Sequence, residues 1–379
     1  MRTLRRLTLL CRVAAPLGLA AFPAWLHAQR GAGGQPERPA LDRGADANDW
    51  NAYFDLGVQA LRQQRGSRAE AAFYWASQLA PDRAEPIFGR WVAFWMRDSK
   101  RWTGYLEEDP NVLKDPAVVA ADSLPYRAMA RNPWVHQGLA ILLFDQLPGA
   151  WRDDALTRGW IAYARPEFER AVNLFGVALR GNGKQRTWIH TMRAQSFVML
   201  ARYDSAAAEL AALESELRAR DARVLGASYE SKEMIGYALG VLHAARGQRV
   251  EARRALEQAL TENFAFEPAH DLLGRLALAE GDTATAVREG EQAAELARGD
   301  PVMQYRHGLA LVAAGRAAEA VAPLRRAVEL APWYAAPLYD LGVALDATGD
   351  REGARNALAA YVTLAPRTEA KRIAAARAY

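Results

Sequence analysis

Six histidines, one cysteine and a few acidic pairs are the residues of this 379-residue chain whose chemistry suggests a metal site or proton transfer. Their spacing supports neither. His136, His190, His243, His270 and His307 form no His-Glu-x-x-His pattern and no pair at a helix-face interval, so they read as structural histidines. Gly181-Asn182-Gly183-Lys184 resembles a phosphate-binding loop only in part. Ala178 stands where the first glycine belongs and Gln185 replaces Ser or Thr, so the stretch reads as a helix-helix turn. No Gly-x-Ser-x-Gly elbow occurs, and Glu107-Glu108 and Asp153-Asp154 are ordinary at helix ends and loops. No catalytic residue, metal or cofactor is expected.

The N-terminus has its own character. Arg2, Arg5, Arg6 and Arg12 precede or enter an apolar run from Val13 to Leu26 that ends at Leu26-His27-Ala28, the layout of a secretory signal peptide over residues 1–28, with cleavage after Ala28. Pro16 and Pro23 interrupt the run, which is shorter than the roughly 20 apolar residues a membrane-spanning helix needs. Export to the periplasm or the extracellular space is the expectation. Loss of residues 1–28 removes four Arg and no acid, leaving 44 basic against 44 acidic residues, and it removes Cys11. A neutral chain argues against nucleic acid as a partner, and a cysteine-free chain must be stable by packing alone. Residues 29–48, rich in Gly and Pro, read as a flexible linker, with order beginning near Asp49.

A fixed period organises the rest. Gly240, Gly274, Gly308 and Gly342 recur every 34 residues, and so do Gly247, Gly281, Gly315 and Gly349, and Ala252, Ala286, Ala320 and Ala354. The first glycine of each unit allows a second helix to cross closely, and the glycine seven residues on suits a left-handed turn. Apolar residues then recur at helical spacing, as in Leu256, Ala259 and Leu260 or Leu324, Ala327 and Val328. One hairpin cannot hide such a stripe, so the units must stack. The period, with Leu239-Gly240, Leu273-Gly274, Leu341-Gly342 and closing Pro332 and Pro366, resembles the tetratricopeptide repeat (TPR). Tyr53, Leu56-Gly57, Ala69, Phe73, Ala76 and Pro81 fit the same frame, with Gln64 in the place of the turn glycine. Trp134, Gly138 and Ile141, and again Phe175-Gly176, are read as the starts of further units, and Ala194 and Ala201 as replacements for both glycines of another. Asp109-Pro110, Asp115-Pro116 and Leu124-Pro125 should interrupt helices.

The expected fold is an all-α TPR solenoid, a right-handed superhelix with a degenerate, Trp-rich N-terminal half. The first unit covers residues 49–83, a divergent helical region 84–230, four units 233–366 and a capping helix 367–379. In the resembled family, residues six and three before and one and four after each signature glycine line a concave groove. Carried over, these positions are Met234, Tyr237, Val241 and Ala244, Pro268, Asp271, Arg275 and Leu278, Val302, Tyr305, Leu309 and Val312, and Ala336, Tyr339, Val343 and Asp346, of which Tyr237, Val241, Arg275, Leu278, Val302, Tyr305, Leu309, Val312, Tyr339 and Val343 are the expected partner-binding residues. The resemblance implies a non-catalytic scaffold of the cell envelope that binds a peptide segment or partner protein there. Alternatively, the same residues pack against neighbouring repeats or a folded-back segment. Nine of the eleven tryptophans lie between residues 50 and 188, and Phe88, Trp91, Phe94 and Trp95 are compatible with an aromatic shelf for sugar rings as well as with irregular core packing. The shelf would make residues 84–230 a glycan- or small-molecule-binding, or enzymatic, module with the repeats as a docking arm. Assembly or transport of envelope material is a third role the resemblance allows.

Overall fold

A computed structural model describes residues 35–106, 109–145, 154–181, 185–222 and 231–379. The leader at 1–28, the first part of the linker, Trp151, Glu107-Glu108, Asp153 and Asn182 to Lys184 lie outside these residues.

The described chain is α-helical, without a strand. Helices α1 (Trp50–Arg62) and α2 (Gly66–Leu79) form the first hairpin; α3 (Ala84–Met96) packs against both. Short helices α4 (Ser99–Leu106) and α5 (Pro110–Leu113) lead to α6 (Pro116–Arg131), which returns against α3. A 3-10 turn (Gly138–Ala140) and α7 (Ile141–Phe144) connect to the hairpin of α8 (Ala155–Ala164) and α9 (Phe168–Gly181). Then follow α10 (Arg186–Met199) with α11 (Tyr203–Asp221), α12 (Lys232–Ala245) with α13 (Arg249–Glu262), α14 (Glu267–Ala279) with α15 (Thr283–Leu296), α16 (Pro301–Ala313) with α17 (Ala317–Leu330), and α18 (Ala336–Ala347) with α19 (Arg351–Leu364). Helix α20 (Ala370–Ala378) ends the stack without a buried residue.

The prolines act differently from expectation in one case. Pro110 and Pro116 open helices, with Asp109 and Asp115 accepting from the backbone N–H of Asn111 and Ala117, because the first turn has no use for the missing donor. Pro125 lies inside α6, which continues through it: Val118, Ala121, Leu124, Ala128 and Met129 are buried on both sides and hold the helix together.

One contact recurs in five of the hairpins. A Cβ on Gly308 would lie 2.6 Å from Leu324, and the same sixteen-residue step pairs Gly240 with Leu256, Gly342 with Leu358, Gly57 with Phe73 and Gly159 with Phe175. This corrects the frame of the degenerate region. Gly159, not Gly138 or Gly176, is the crossing glycine, and Phe175 is the side chain of the second helix that fills its gap. Gly138 lies in the 3-10 turn, where Trp134 and Ile141 are on no common helix. Gly315 takes φ +72° at its turn, and Gln64 and Ala201 take φ 56° at theirs, so the left-handed turn persists where glycine does not.

The solenoid closes on itself. Arg38 lies over the rings of Tyr53, Trp75 and Trp333 at 5.1, 4.8 and 5.4 Å, and Trp75 meets Trp333 edge-on at 5.2 Å. Trp75 Nε1 donates to Pro36 O at 3.0 Å, Asn48 Nδ2 to Thr363 O at 2.8 Å, and Arg367 N to Asp46 Oδ2 at 2.6 Å. Residues 36–48 therefore form a strap joining the first unit to the last, instead of the free linker that their composition suggests. Its partners Thr363 and Arg367 stand more than 300 residues away in the chain, beyond any local reading.

Candidate interaction groove

The inner faces of α12, α14, α16 and α18 carry the positions expected to line the groove, and the structure divides them into two rows. Before the glycines, Tyr237, Val302 and Tyr305 are buried. Tyr237 donates its hydroxyl to Ala130 O at 2.9 Å, and Tyr305 donates to Asp340 Oδ2 at 2.8 Å. Tyr339 is half-buried, with the Arg372 guanidinium 4.9 Å from its ring centre. After the glycines, Val241, Leu278, Leu309 and Val312 are half-buried, Arg275 is exposed and Val343 is 41% exposed.

The chain itself covers part of the first row. Met129, near the end of α6, is buried in one cluster with Met234, Tyr237, Phe266, Leu272 and Leu273, and Tyr126 packs at its edge. Beyond α6, Trp134 Nε1 donates to Ala238 O at 3.1 Å and Pro133 O accepts from Gln195 Nε2 at 3.1 Å. Arg131 donates to Pro81 O and pairs with Asp300, 169 residues further on, at the start of α16. Residues 126–134 thus occupy one edge of the face, and Tyr237, Val302 and Tyr305 are withdrawn from any outside partner. The physical reason is a shortage of partners: Met129 and Trp134 belong to the stretch without regular hairpins and find cover only on the repeats. Burial pushes the Tyr237 hydroxyl up to about 12, with the Asp271 charge adding to it.

Successive first helices are also linked by polar contacts. Asp271 on α14 receives Arg306 of α16, while Tyr305 of α16 reaches Asp340 on α18. Burial raises the Asp340 carboxyl and, together with the Asp340 charge, raises the Tyr305 hydroxyl. Glu267, in the first turn of α14, is buried beside Asp300 and Arg131, and desolvation lifts its carboxyl to about 7. No sequence pattern marked Glu267, Asp300 or Arg131; the one available hint is that Glu267 repeats Glu233 at 34 residues.

The other candidates resolve as packing. Phe88, Trp91, Phe94 and Trp95 are at most 7% exposed, so the expected alternative of a sugar shelf has no surface to offer. Trp95 instead lies 5.3 Å from Trp102 and 4.4 Å from Tyr105, ring centre to ring centre. His190 Nδ1 meets Glu209 Oε1 at 2.7 Å; His270 is held between Glu289 Oε2 at 2.8 Å and Phe264 O at 2.9 Å; His243 meets Gln248 Oε1 at 2.9 Å. Among the described residues, no three His, Cys, Asp or Glu side chains converge as a metal site requires, and no helix is long and apolar enough to cross a membrane.

Comparison with known proteins places names beside this geometry. Residues 311–378 match the tetratricopeptide repeat family. Among solved structures, YrrB, described as a TPR protein with an unusual peptide-binding site, is similar at 19% identity and TM-score 0.43, covering 55% of this chain and all of that one. The C-terminal part of a TPR repeat-containing protein from Cytophaga hutchinsonii is similar at 16% identity and TM-score 0.44, covering 55% of this chain and 78% of that one. MamA is similar at 16% identity and TM-score 0.40, covering 47% and 91%. No curated protein matches.

Proposed function

The chain is a tetratricopeptide-repeat protein, and on that premise we propose that it is a non-catalytic binding scaffold of the cell envelope. It holds a segment of a partner protein on the accessible strip of Val241, Arg275, Leu278, Leu309, Val312 and Val343, with Tyr339 at one end. The observation that carries this reading is the division of the inner face: one row is engaged by the chain's own segment and the neighbouring repeats, while the other stays open across four units, with Val343 41% exposed and the Arg275 side chain 50% exposed. A strip with one cation among aliphatic side chains suits an apolar segment bearing an acidic residue. A signal peptide over residues 1–28, cleaved after Ala28, would deliver the scaffold outside the cytoplasm, and N-terminal sequencing of the purified native protein tests that part.

Photo-crosslinkers at Leu309 and Val343 test the strip, with a crosslinker at buried Val302 as the internal control. The expected products at 309 and 343 join this chain to one extended segment of another protein, and the product at 343 decreases at least tenfold in the Leu309→Asp variant, whereas 302 gives only products within the chain. Intramolecular products alone at 309 and 343 would overturn the reading.

A further inference from the structure

The strap that joins the two ends of the solenoid is seated in the way a peptide ligand is seated on a receptor. Pro36 and Pro39 each bar the preceding residue from helical geometry, and residues 35–42 form neither helix nor strand. Three parts of this short run are gripped by the body of the protein. The Pro36 carbonyl accepts from Trp75 Nε1 at 3.0 Å. The Arg38 guanidinium lies within 5.4 Å of the ring centres of Tyr53, Trp75 and Trp333, and its Nε donates to the Tyr53 hydroxyl at 2.9 Å. Leu41 packs into the cluster of Tyr53, Trp75, Ala76 and Leu79. An indole N–H on a proline carbonyl and aromatic faces around a cation are side-chain devices that hold extended, proline-flanked segments. The cage is composite: Tyr53 and Trp75 belong to α1 and α2, and Trp333 to the turn before α18.

Cover and grip are unequal at this seam. Tyr53 and Trp75 are only 2% and 4% exposed beneath the strap, yet no residue from 35 to 48 is itself buried. The strap thus helps to shield aromatic surface while committing little apolar area of its own, so a segment of the same chemistry can take its place, whereas an empty cage would face water. No helix of the first hairpin packs along a helix of the last among the described residues, so exchange of the strap parts no helix pair. We propose that the seam is a recognition site for a Pro-x-Arg-Pro-x-Leu segment of a partner protein, and that residues 36–41 occupy it in cis until such a segment displaces them. A tethered strap competes at an effective concentration of about a millimolar, so the partner segment must be presented at a high local concentration. Neither the cage nor the strap shares a residue with the accessible strip, and the two proposals stand or fall separately.

Fluorescence anisotropy of a labelled synthetic peptide with the sequence of residues 35–48 tests the site on the full chain. The Arg38→Ala chain, whose own strap has lost its hold on the cage, is expected to bind this peptide saturably and about tenfold more tightly than the wild type does. The peptide carrying Arg38→Ala is expected to bind the same chain about tenfold more weakly, a comparison that requires no further change in the protein. A benzophenone side chain in place of the peptide's leucine is expected to crosslink to α1 or α2, where Leu41 of the strap now packs. Absence of saturable binding by the Arg38→Ala chain, equal binding by that chain and the wild type, equal binding of the two peptides, or crosslinks confined to other helices would each overturn the proposal and leave the strap a structural clamp.

Discussion

The C-terminal repeats and the tryptophan-rich half meet one requirement, the filling of the space between crossing helices, with different side chains. In α12 to α19 the gap over Gly240, Gly308 and Gly342 is closed by Leu256, Leu324 and Leu358, while Gly274 lies against the backbone of Ala286 and Gly290, and Ala252, Ala286, Ala320 and Ala354 keep the return helix close. In α1 to α10 it is closed by Phe73 and Phe175, around which Trp91, Trp95, Trp102, Trp160 and Trp188 build one continuous core. Small, identical seams permit repetition, since each unit meets the next in the same way. Large aromatic rings fill spaces of unequal shape, and each serves one location only. That half has a cost as well: Trp95, Trp102 and Trp188 bury indole N–H groups without an acceptor among the described residues.

The largest effect that tests this contrast is expected from Trp95→Ala, which opens a cavity in the aromatic core and costs about 3–5 kcal/mol. Nine of the eleven tryptophans lie between residues 50 and 188 and only Trp333 after them, so indole fluorescence follows the first half while far-UV circular dichroism follows all helices. In urea, the variant's fluorescence transition should move to lower concentration and separate from the dichroism transition. Coincident transitions would break the contrast, because they would show that the strap and the segment 126–134 make the two regions one cooperative unit.

The next effect concerns pH. Glu267 has a folded pKa of about 7 against an ordinary 4.5, so the native state binds a proton that the unfolded chain releases. Its contribution is complete below pH 4.5 and declines as pH rises through 7, by up to about 3 kcal/mol. Stability measured by urea titration at a series of pH values should fall across this window in the wild type and fall less in Glu267→Gln. Equal slopes would place the acid outside the buried contact between the two halves. The smallest effect concerns the turns. Ala201→Gly should stabilise by about 1 kcal/mol and Gly315→Ala should destabilise by a similar amount, since both positions hold a left-handed residue. Differential scanning calorimetry checks both, and opposite signs are the required outcome.

Much of the fold was legible at the level of single units. The 34-residue period, the crossing glycines and the turn glycines all act between residues closer than one unit, and Gly57 with Phe73 obeyed the same rule as Gly308 with Leu324. The sixteen-residue step from Gly159 to Phe175 was also present in the sequence, but the Trp134–Gly138 spacing competed with it and only packing distinguished them. Along the groove, the residue types were legible and their accessibility was not: Tyr237 and Val241 sit four residues apart on one helix, yet Ala130 and Met129 cover the first and leave the second partly open.

The sequence by itself determined the helical hairpin, its period and its left-handed turns, because those depend on sterics and hydrophobic spacing among near neighbours. Only the tertiary structure decided that Asn48 reaches Thr363, that Arg131 reaches Asp300 and that Ala130 lies against Tyr237, because such contacts join distant residues once and leave no periodic trace. The free energy that selects them is the burial of side chains for which the irregular half provides no partner, and that requirement becomes visible only when the two ends of the solenoid meet.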